Sequence, residues 1–580
     1  MSFEPTINDN IRYEPQENPP TRLAISAGIQ GALVMIGSIV LTVVIVFRIA
    51  DQPVDYIAWG VFAALVVSGL TTILQGVQFW RFGAGHLLVM GTSGTFIGVC
   101  VAALVEAGPA VMASLIIVSS LFQFLLAARL SVLRRIFTPV VSGTVIMLIA
   151  ATVMPILFDM LTDVPEGSSS VAAPVVAVTS LAALLALVLR GPRRWRIWSP
   201  IFGIIVGCAV AAPFGLYDVQ YVMDAPWFGV PFRSWPGLDF TPGHEFWALL
   251  PAFIAVTIVG AIETIGDGVA IQRVSRRQPK ATDFRVVQGA LNADGLGNLL
   301  SGLAGTLPNT TYSGTIPMVE ITGVAAKRVG IIIGVVLLAL AFSPKATALL
   351  IAIPSPVAAA FTIVFFTLLF VQGMRIVFRD GLDYRKAVVL GVSFWTGVGF
   401  QNQAIFPEQL GDGFWGILLG NGMTAGGLVA VVLAAFMELT AGRTRCIRLP
   451  VDDEHVAERV DRFLRGFTGR LGWNPEATDR LAAAAEETLT ILSQEDPRDD
   501  GAPRHLTVRV RHDAGKVEVE FASTLHGENV EDRLTYLSVL PPIPDESEAS
   551  YRLLRHYASE VRHQKYYGLD VVTVSVANAA

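Results

Sequence analysis

Two acidic side chains four residues apart lie inside an apolar stretch of the chain. Glu263 and Asp267 belong to the segment Ala-Ile-Glu-Thr-Ile-Gly-Asp at 261–267, and on a helix this spacing places both carboxylates on one face. Ionisable side chains are expensive within a membrane span and by default mark a substrate or ion pathway. Two neighbouring anions in a low dielectric do not both stay charged without partners, so we expect a bound proton or cation here. The alternative, strongest for Asp267, is an acidic side chain at a helix end that reaches water.

Two further carboxylates lie in later apolar runs. Glu320 is a third candidate for ion coupling, beside Glu263 and Asp267. Asp294 belongs to the segment Asn-Ala-Asp-Gly at 292–295, where we expect it to cap the ninth span.

Small and hydroxylated residues interrupt two other apolar runs at matching places. The segments are Gly-Thr-Ser-Gly-Thr at 91–95 and Asn-Thr-Thr-Tyr-Ser-Gly-Thr at 309–315, each about 68 residues after the start of its half near Leu23 or Glu245. Extended backbone is tolerated at membrane depth only where it is buried in protein or lines a cavity. Paired interruptions of this kind form the substrate site in proteins built from inverted repeats. Close helix packing through small residues is the alternative.

The elements that must position these side chains are membrane-spanning helices. Of the 580 residues, 53% are hydrophobic and only 16% are charged, which is too apolar for a water-soluble protein of this length. A spanning helix needs about 20 apolar residues. About fourteen apolar runs occur, at Leu23–Val46, Tyr56–Leu74, Gly83–Val105, Val111–Ala128, Ile136–Phe158, Ala172–Leu189, Ser199–Tyr217, Phe246–Ala270, Val287–Ala304, Thr310–Gly323, Val329–Phe342, Ser355–Phe370, Ala387–Ala404 and Phe414–Phe436.

The charges of the loops orient these spans. Arginine and lysine gather in the even-numbered loops, whereas the odd-numbered loops carry mainly acidic residues. Basic loops stay on the cytoplasmic side of a membrane. We therefore predict a multi-pass protein of a bacterial inner membrane, with a cytoplasmic tail at 1–22, transmembrane residues 23–440 and both termini in the cytoplasm.

The composition argues against several other classes. The net charge of −6 is small and the basic residues form no contiguous patch, so no nucleic-acid partner is expected. Cys100, Cys208 and Cys446 indicate neither a disulfide framework nor a metal site. No nucleophile–base arrangement or P-loop is found in the sequence, and we predict neither an enzyme nor a cofactor.

Five segments together resemble the nucleobase–ascorbate transporter family, which contains the xanthine and uracil permeases. They are Phe137–Thr144, Glu263–Asp267, Leu307–Ser313, Thr322–Val324 and Ile353–Val357, and they span most of residues 20–440 in order. The resemblance implies an all-α polytopic membrane fold with about fourteen helices in two inverted seven-helix repeats, near 23–220 and 245–440. These repeats would build a core domain and a gate domain.

The same resemblance implies a function and a set of site residues. It implies symport of a nucleobase such as xanthine, uric acid or uracil, or a related heterocycle, with protons or sodium, by an elevator-like motion of a homodimer in the lipid bilayer. Glu263 matches the family's substrate-binding glutamate, and an ionised carboxylate suits ring N–H groups because it only accepts hydrogen bonds. The candidate substrate-binding residues are Glu263, Gly94, Thr95, Ser313, Gly314, Thr315, Gln30 and Gly31.

The sequence departs from the family pattern in the predicted pocket. The family signature on the tenth span is matched only at Thr322, and Gly314 stands in place of its glutamine or glutamate. Gly94 occupies the place of the family's stacking aromatic residue, and Gly31 replaces the histidine expected after Gln30. We therefore hypothesise an enlarged pocket that accepts a bulkier or differently shaped ligand.

Residues 445–580 have the charged composition of a small soluble domain with an α+β fold. The predicted elements are an amphipathic helix over 456–471, an Asn474-capped helix ending at Gln494, a hairpin over 506–521 with its turn at 513–515, a helix near 551–562 and a strand near 571–576.

This order of elements is similar to the histidine-kinase-type ATPases of the anti-sigma-factor group. The segment 484–490 resembles their first nucleotide motif, but Thr490 or Ile491 stands in place of the magnesium-binding asparagine. Their following glycine-rich motif is missing, and 526–528 (His-Gly-Glu) is the nearest segment. The resemblance implies a degenerate module that regulates the chain or binds a cytoplasmic protein partner.

Two other functions stay open on the sequence alone. One is an anion transporter of the sulfate and bicarbonate type with the same seven-plus-seven architecture, although such a site favours cationic groups or bare helix N-termini over a glutamate. The other is a membrane sensor that signals ligand occupancy through residues 445–580 with little transport.

Overall fold

A computed structural model describes two compact units of the chain. It describes residues 10–578 except 134–137, 166, 193–197, 232–233, 240–242, 279, 380–381, 411–413, 421, 441–443, 451–454, 495–504, 514–515, 524–528 and 538–547. The membrane unit contains 10–275 and 286–435, and the second unit contains 276–285 together with the chain from 436 onwards. Phe137 of the family-like segments, the turn residues 514–515 and the segment 526–528 lie outside the described residues.

Helices make up almost all of the membrane unit. Thirteen of the fourteen predicted apolar runs coincide with a helix or with a short strand followed by a helix, and the last, Phe414–Phe436, covers two helices. The elements are α1 Thr21–Ile49, α2 Val54–Val77, β1 Met90–Thr92, α3 Ile97–Glu106, α4 Pro109–Ala128, α5 Leu130–Leu133, α6 Pro139–Met160, α7 Ala172–Arg190, α8 Ser199–Ala211, α9 Val219–Asp224, α10 His244–Val274, α11 Phe284–Ala304, β2 Asn309–Thr311, α12 Thr315–Thr322, α13 Lys327–Ala341, α14 Pro344–Ile351, α15 Ser355–Arg379, α16 Tyr384–Gln401, α17 Pro407–Leu410, α18 Phe414–Gly420 and α19 Gly422–Thr440.

Not every predicted run is one long helix. Among the described residues, eight helices are long and apolar enough to cross a membrane, and α13 with α14 adds a ninth candidate that bends by 88°. The third and tenth runs are instead broken, because β1 precedes a single 3₁₀ turn at Gly94–Phe96 and α3, and β2 precedes α12. The two breaks pair with each other as antiparallel strands, with Gly91 opposite Thr310. The interruptions predicted from the sequence therefore exist and meet.

The helices pack in two groups. In the first group, α1 and α2 pack on α13, and α4 packs on α10. In the second, α6 and α7 pack on α15, and α7 packs on α8. Glycines allow close approach in both groups, since a Cβ on Gly69 would lie 2.8 Å from the Gly334 carbonyl oxygen and one on Gly143 would lie 2.6 Å from that of Gly373.

The last helix of the membrane unit belongs to the second group. A Cβ on Gly426 of α19 would lie 2.7 Å from the carbonyl oxygen of Ser393 in α16, and α16 packs on α6. α19 continues past residue 435, so its final turn is part of the second unit.

The second unit has an antiparallel sheet with helices around it. The strands are β3 Arg445–Pro450, β4 His505–Asp513, β5 Lys516–Ser523, β6 Glu560–Tyr566 and β7 Leu569–Ala577, in the order β3-β4-β5-β7-β6. The helices are α20 Val456–Leu471, α21 Pro475–Gln494, α22 Val530–Leu537 and α23 Ala549–Tyr557. The alternating apolar residues of the predicted hairpin are buried in its core. The small α+β fold is confirmed.

Two predicted features of this unit need correction. The helix expected near 551–562 ends at Tyr557, and the chain continues as β6, in which His563 is buried against the helices while its neighbours are more exposed. β3 was not predicted, because its six residues show no regular alternation of apolar and polar side chains, and it is stabilised by pairing with β4. The Asn474 cap is present, with its side-chain oxygen accepting from the Glu476 N–H at 3.0 Å.

Candidate substrate site

A cavity of about 150 Å³ lies where the two broken helices meet α1, α10 and α15. Both helix groups contribute to its walls, since α6 and α15 come from the second group. Its principal lining residues are Ser38 and Thr42 of α1, Thr92, Gly94 and Thr95 of the first break, Glu263 of α10, Thr310, Tyr312, Ser313 and Gly314 of the second break, and Phe361, Phe365 and Phe366 of α15.

Glu263 is the central polar group of this cavity. Among the described residues that line it, no other is a carboxylic acid, and none is lysine, arginine or histidine. The residue is only 7% exposed, and its side chain forms no hydrogen bond with any residue that the structure describes. A buried carboxylate without donors is unfavourable. Glu263 therefore has to carry a proton or accept hydrogen bonds from a molecule in the cavity.

Asp267 lies one turn further along α10 and has partners of its own. Its two carboxylate oxygens accept from Ser313 Oγ at 2.7 Å and from Thr311 Oγ1 at 2.8 Å. It is buried but does not line the cavity. The predicted pair on one helix face is thus divided, with Glu263 at the cavity and Asp267 holding the second break against α10.

Asp294 is the centre of a buried polar network. One of its oxygens accepts from Thr264 Oγ1 at 2.6 Å and from Gln123 Nε2 at 2.5 Å. Gln123 in turn accepts from Asn298, whose amide oxygen accepts from the backbone N–H of Asn309 at 2.7 Å. The expected cap role is wrong, because α11 begins ten residues earlier, at Phe284, and Asp294 lies in its middle. The network joins α4, α10 and α11 to the second break.

The remaining predicted site residues divide between the cavity and its surroundings. Gly94, Thr95, Ser313 and Gly314 line the cavity. Thr315 is buried outside the lining, where its Oγ1 accepts from the Val89 N–H at 3.3 Å.

Three predicted residues lie away from the cavity. Gln30 is half-buried and Gly31 is buried on α1, and neither is a lining residue. Glu320 is exposed on α12 and also lies outside the lining. The roles of all these residues in binding and ion coupling stay predictions.

Larger neighbours fill the space beside the small residues of the predicted pocket. A Cβ on Gly94 would lie 3.2 Å from Phe366 Cζ, and one on Gly31 would lie 2.7 Å from Ile333 Cδ1. At Gly314 the nearest atom is Met35 Cε at 3.5 Å. The hypothesis of an enlarged pocket therefore finds no support at these positions.

Aromatic residues of the site were missed in the sequence. Phe361, Phe365 and Phe366 lie on α15 and Tyr312 follows β2, and all four line the cavity. The rings of Phe365 and Phe366 meet edge to face at 5.6 Å. Because α15 reads as a uniformly apolar span, its sequence does not reveal which of its faces meets the cavity. No group of three His, Cys, Asp or Glu suited to a metal ion occurs among the described residues.

A polytopic helical fold in which two broken helices flank a buried carboxylate, with no hydrogen-bond partner among the described residues, defines a membrane permease for a small molecule. Three relatives are similar to this chain in sequence. A putative purine permease of Clostridium perfringens is 29% identical over 384 residues, which cover 65% of this chain and 82% of the relative. Xanthine permease XanP of Escherichia coli is 27% identical over 451 residues, 74% of this chain and 95% of the relative. A nucleobase transporter of Paenibacillus larvae is 28% identical over 452 residues, 75% of this chain and 98% of the relative.

A model of the xanthine/uracil permeases, described as a permease family, matches residues 22–404. The chain belongs to this family, as its resemblance to the nucleobase–ascorbate transporters indicated. It is a multi-pass transport protein of the bacterial inner membrane.

Proposed function

We propose that the chain is a secondary active symporter of nucleobases, such as xanthine, uric acid or uracil, or of a related heterocycle, coupled to protons or sodium. The observation that carries the proposal is the buried Glu263 carboxylate, which faces the cavity and has no partner among the described residues. The similarity to a putative purine permease, a xanthine permease and a nucleobase transporter supports the substrate class.

The lining suits a flat, neutral heterocycle. A carboxylate accepts hydrogen bonds from adjacent ring N–H groups, and aromatic faces such as that of Phe366 stack on a conjugated ring. The absence of lysine, arginine and histidine from the lining residues disfavours the anion-transporter alternative. A sensor that only binds its ligand differs from a symporter in showing no flux.

Ion coupling and movement follow from the same arrangement. Glu263, Asp267 and Asp294 are buried near one another. Binding a proton or cation together with the substrate reduces the net negative charge of these carboxylates, which lowers the energy of moving them through the membrane. We infer an elevator-like exchange of access, in which the group containing α10 moves against the group containing α15. We also infer a homodimer with both termini in the cytoplasm.

The proposed role of the C-terminal domain is regulatory and not ATP hydrolysis. Thr490 donates its hydroxyl to the backbone oxygen of Glu486 in its own helix at 3.0 Å, and Ile491 is buried in the domain core. Neither position offers a carboxamide to a magnesium ion. At these two described positions the domain therefore lacks the asparagine with which the ATPases that it resembles hold the metal.

Glu263→Gln tests the proposed function in the purified, full-length protein. A hydrogen bond to a charged group is worth about 1.5–3 kcal/mol, so we expect the affinity for labelled xanthine to fall about 10- to 150-fold and uptake into proteoliposomes to be lost. Glu106→Gln, at the exposed end of α3, is the matched control and should bind normally. Uptake of sulfate or bicarbonate without nucleobase binding would instead support an anion transporter. Binding without uptake in the unmodified protein would support a sensor.

A further inference from the structure

The segment 276–285 connects α10 to α11 but belongs to the second unit, with the C-terminal domain. α10 carries Glu263, and the segment begins two residues after the end of this helix at Val274. At 1.5 Å per residue, about 17 Å of continuous helix separates Glu263 from Val274 at the end of α10. Because a helix is stiff over this length, a movement of Glu263 along the helix axis moves the segment as well.

A charged hydrogen bond holds the middle of the segment. The Ala281 N–H donates to Oδ1 of Asp532 in α22 at 2.6 Å. Burial raises the pKa of Asp532, and the Ala281 hydrogen bond and the positive charges of Lys280 and Arg276 oppose that rise. The basic segment and this carboxylate are thus electrostatically complementary.

Two further contacts hold the end of the segment. Asp283 forms a parallel bridge with Lys565 of β6, which is an edge strand of the sheet. The rings of Phe284 and Tyr566 stack with centroids 5.0 Å apart and planes 25° apart. Addition of backbone to a sheet edge is a common mode of peptide recognition.

The same sheet also holds the end of α19. Arg511 in β4 forms an ion pair with Glu438 at 2.7 Å, and both side chains are largely buried. α19 packs with the second helix group, whereas α10 belongs to the first. One small domain is therefore attached to the end of a helix from each group.

We propose that the C-terminal domain is a clamp that restrains the substrate helix α10 and slows transport until segment 276–285 is released. The proposal rests on the proposed function, in which the two helix groups move relative to each other. A domain that is attached to both helix groups stabilises the transporter conformation in which all of the domain's contacts are formed. Stabilising one conformation lowers the populations of the other conformations. It therefore slows the transport cycle, which has to pass through them.

The test uses paired variants in the full-length chain. Asp532→Ala removes the acceptor of the Ala281 hydrogen bond, whereas Asp532→Asn keeps an oxygen in its place. Phe284→Ala removes the stacked ring from the segment without altering the domain core, and Phe284→Tyr keeps a ring. Each variant is purified, and its thermal unfolding is compared with that of the unmodified protein.

Three separate measurements report the release of segment 276–285, the exposure of the cavity and the rate of transport. Trypsin cleavage after the basic residues of 276–285 reports release of the segment. Maleimide labelling of Ser38→Cys, in a chain with Cys446→Ser, reports exposure of the cavity without requiring transport. Initial uptake of xanthine into proteoliposomes reports the effect on the cycle.

We expect the two alanine variants to speed cleavage and change the labelling rate at position 38, and to raise uptake about fivefold, the lower end of typical coupling between sites. Asp532→Asn and Phe284→Tyr should resemble the unmodified chain. Faster cleavage with unchanged labelling and uptake would overturn the clamp, as would cleavage unchanged in both alanine variants. If the unmodified chain carries no nucleobase, the proposed function fails, and the labelling rates still decide whether release alters the cavity.

Discussion

Phe366 lies directly beside Gly94 in the lining of the proposed nucleobase site, and exchanging their sizes tests whether Phe366 supplies the stacking ring. A Cβ at position 94 would already lie 3.2 Å from Phe366 Cζ and 3.7 Å from its Cε1, so a second aromatic side chain has no room there. Phe366 is itself only 4% exposed and cannot turn away into water. We therefore expect Gly94→Phe to abolish binding while Phe366 is present.

The expected loss at Phe366 follows from the value of stacking. Stacking of a base on an aromatic side chain is worth about 1–3 kcal/mol by alanine substitution, which is about a 5- to 150-fold change in affinity. Phe366→Ala should weaken xanthine binding by this amount. Phe366→Leu should weaken binding similarly, because leucine keeps an apolar side chain but has no π face. The double variant Gly94→Phe with Phe366→Ala supplies a ring from the neighbouring position 94 and should bind within about tenfold of the unmodified protein.

Equilibrium binding of labelled xanthine to the purified chain measures these affinities, and thermal unfolding of each variant separates lost binding from lost folding. The reasoning would be refuted if Gly94→Phe bound xanthine normally, or if the double variant bound no better than Gly94→Phe alone.

Three other predictions concern the carboxylates and the orientation of the chain. Asp267→Asn should reduce uptake more than binding, because it removes a charge that accepts from Thr311 and Ser313 without lining the cavity; equal losses in both assays would contradict this. Asp294→Ala leaves the Gln123 and Thr264 donors buried without their acceptor, so it should lower the free energy of unfolding by about 1–3 kcal/mol. Thermal unfolding should therefore show a lower midpoint for Asp294→Ala than for the control Asp294→Asn. A membrane-impermeant maleimide should label the exposed Cys446 in inside-out vesicles but not in intact cells, and the buried Cys100 serves as an unreactive control. Labelling of Cys446 in intact cells would reverse the proposed orientation.

Local patterns predicted the helices and the broken spans well, because each depends on residues close together in the chain. A run of apolar residues satisfies its own backbone only as a helix in lipid, so composition predicts where the spans lie. The small and hydroxylated residues at 91–95 and 309–315 predicted the breaks for the same reason. β6 was missed because Val561 and His563 gain their burial from the rest of the domain and not from a local pattern.

The sequence by itself determined the class of protein, the number of apolar runs and the position of both breaks, and it marked Glu263 as a candidate site residue, since all of these are visible as residue types at fixed spacing. Only the tertiary structure decided that the second break binds Asp267, that Glu263 has no hydrogen-bond partner in the described part of the chain, and that Phe366 fills the space beside Gly94. It also decided that Asp294 lies in a buried network. The physical reason is that these contacts join residues up to several hundred positions apart, and the chain order does not specify which faces of uniformly apolar helices meet.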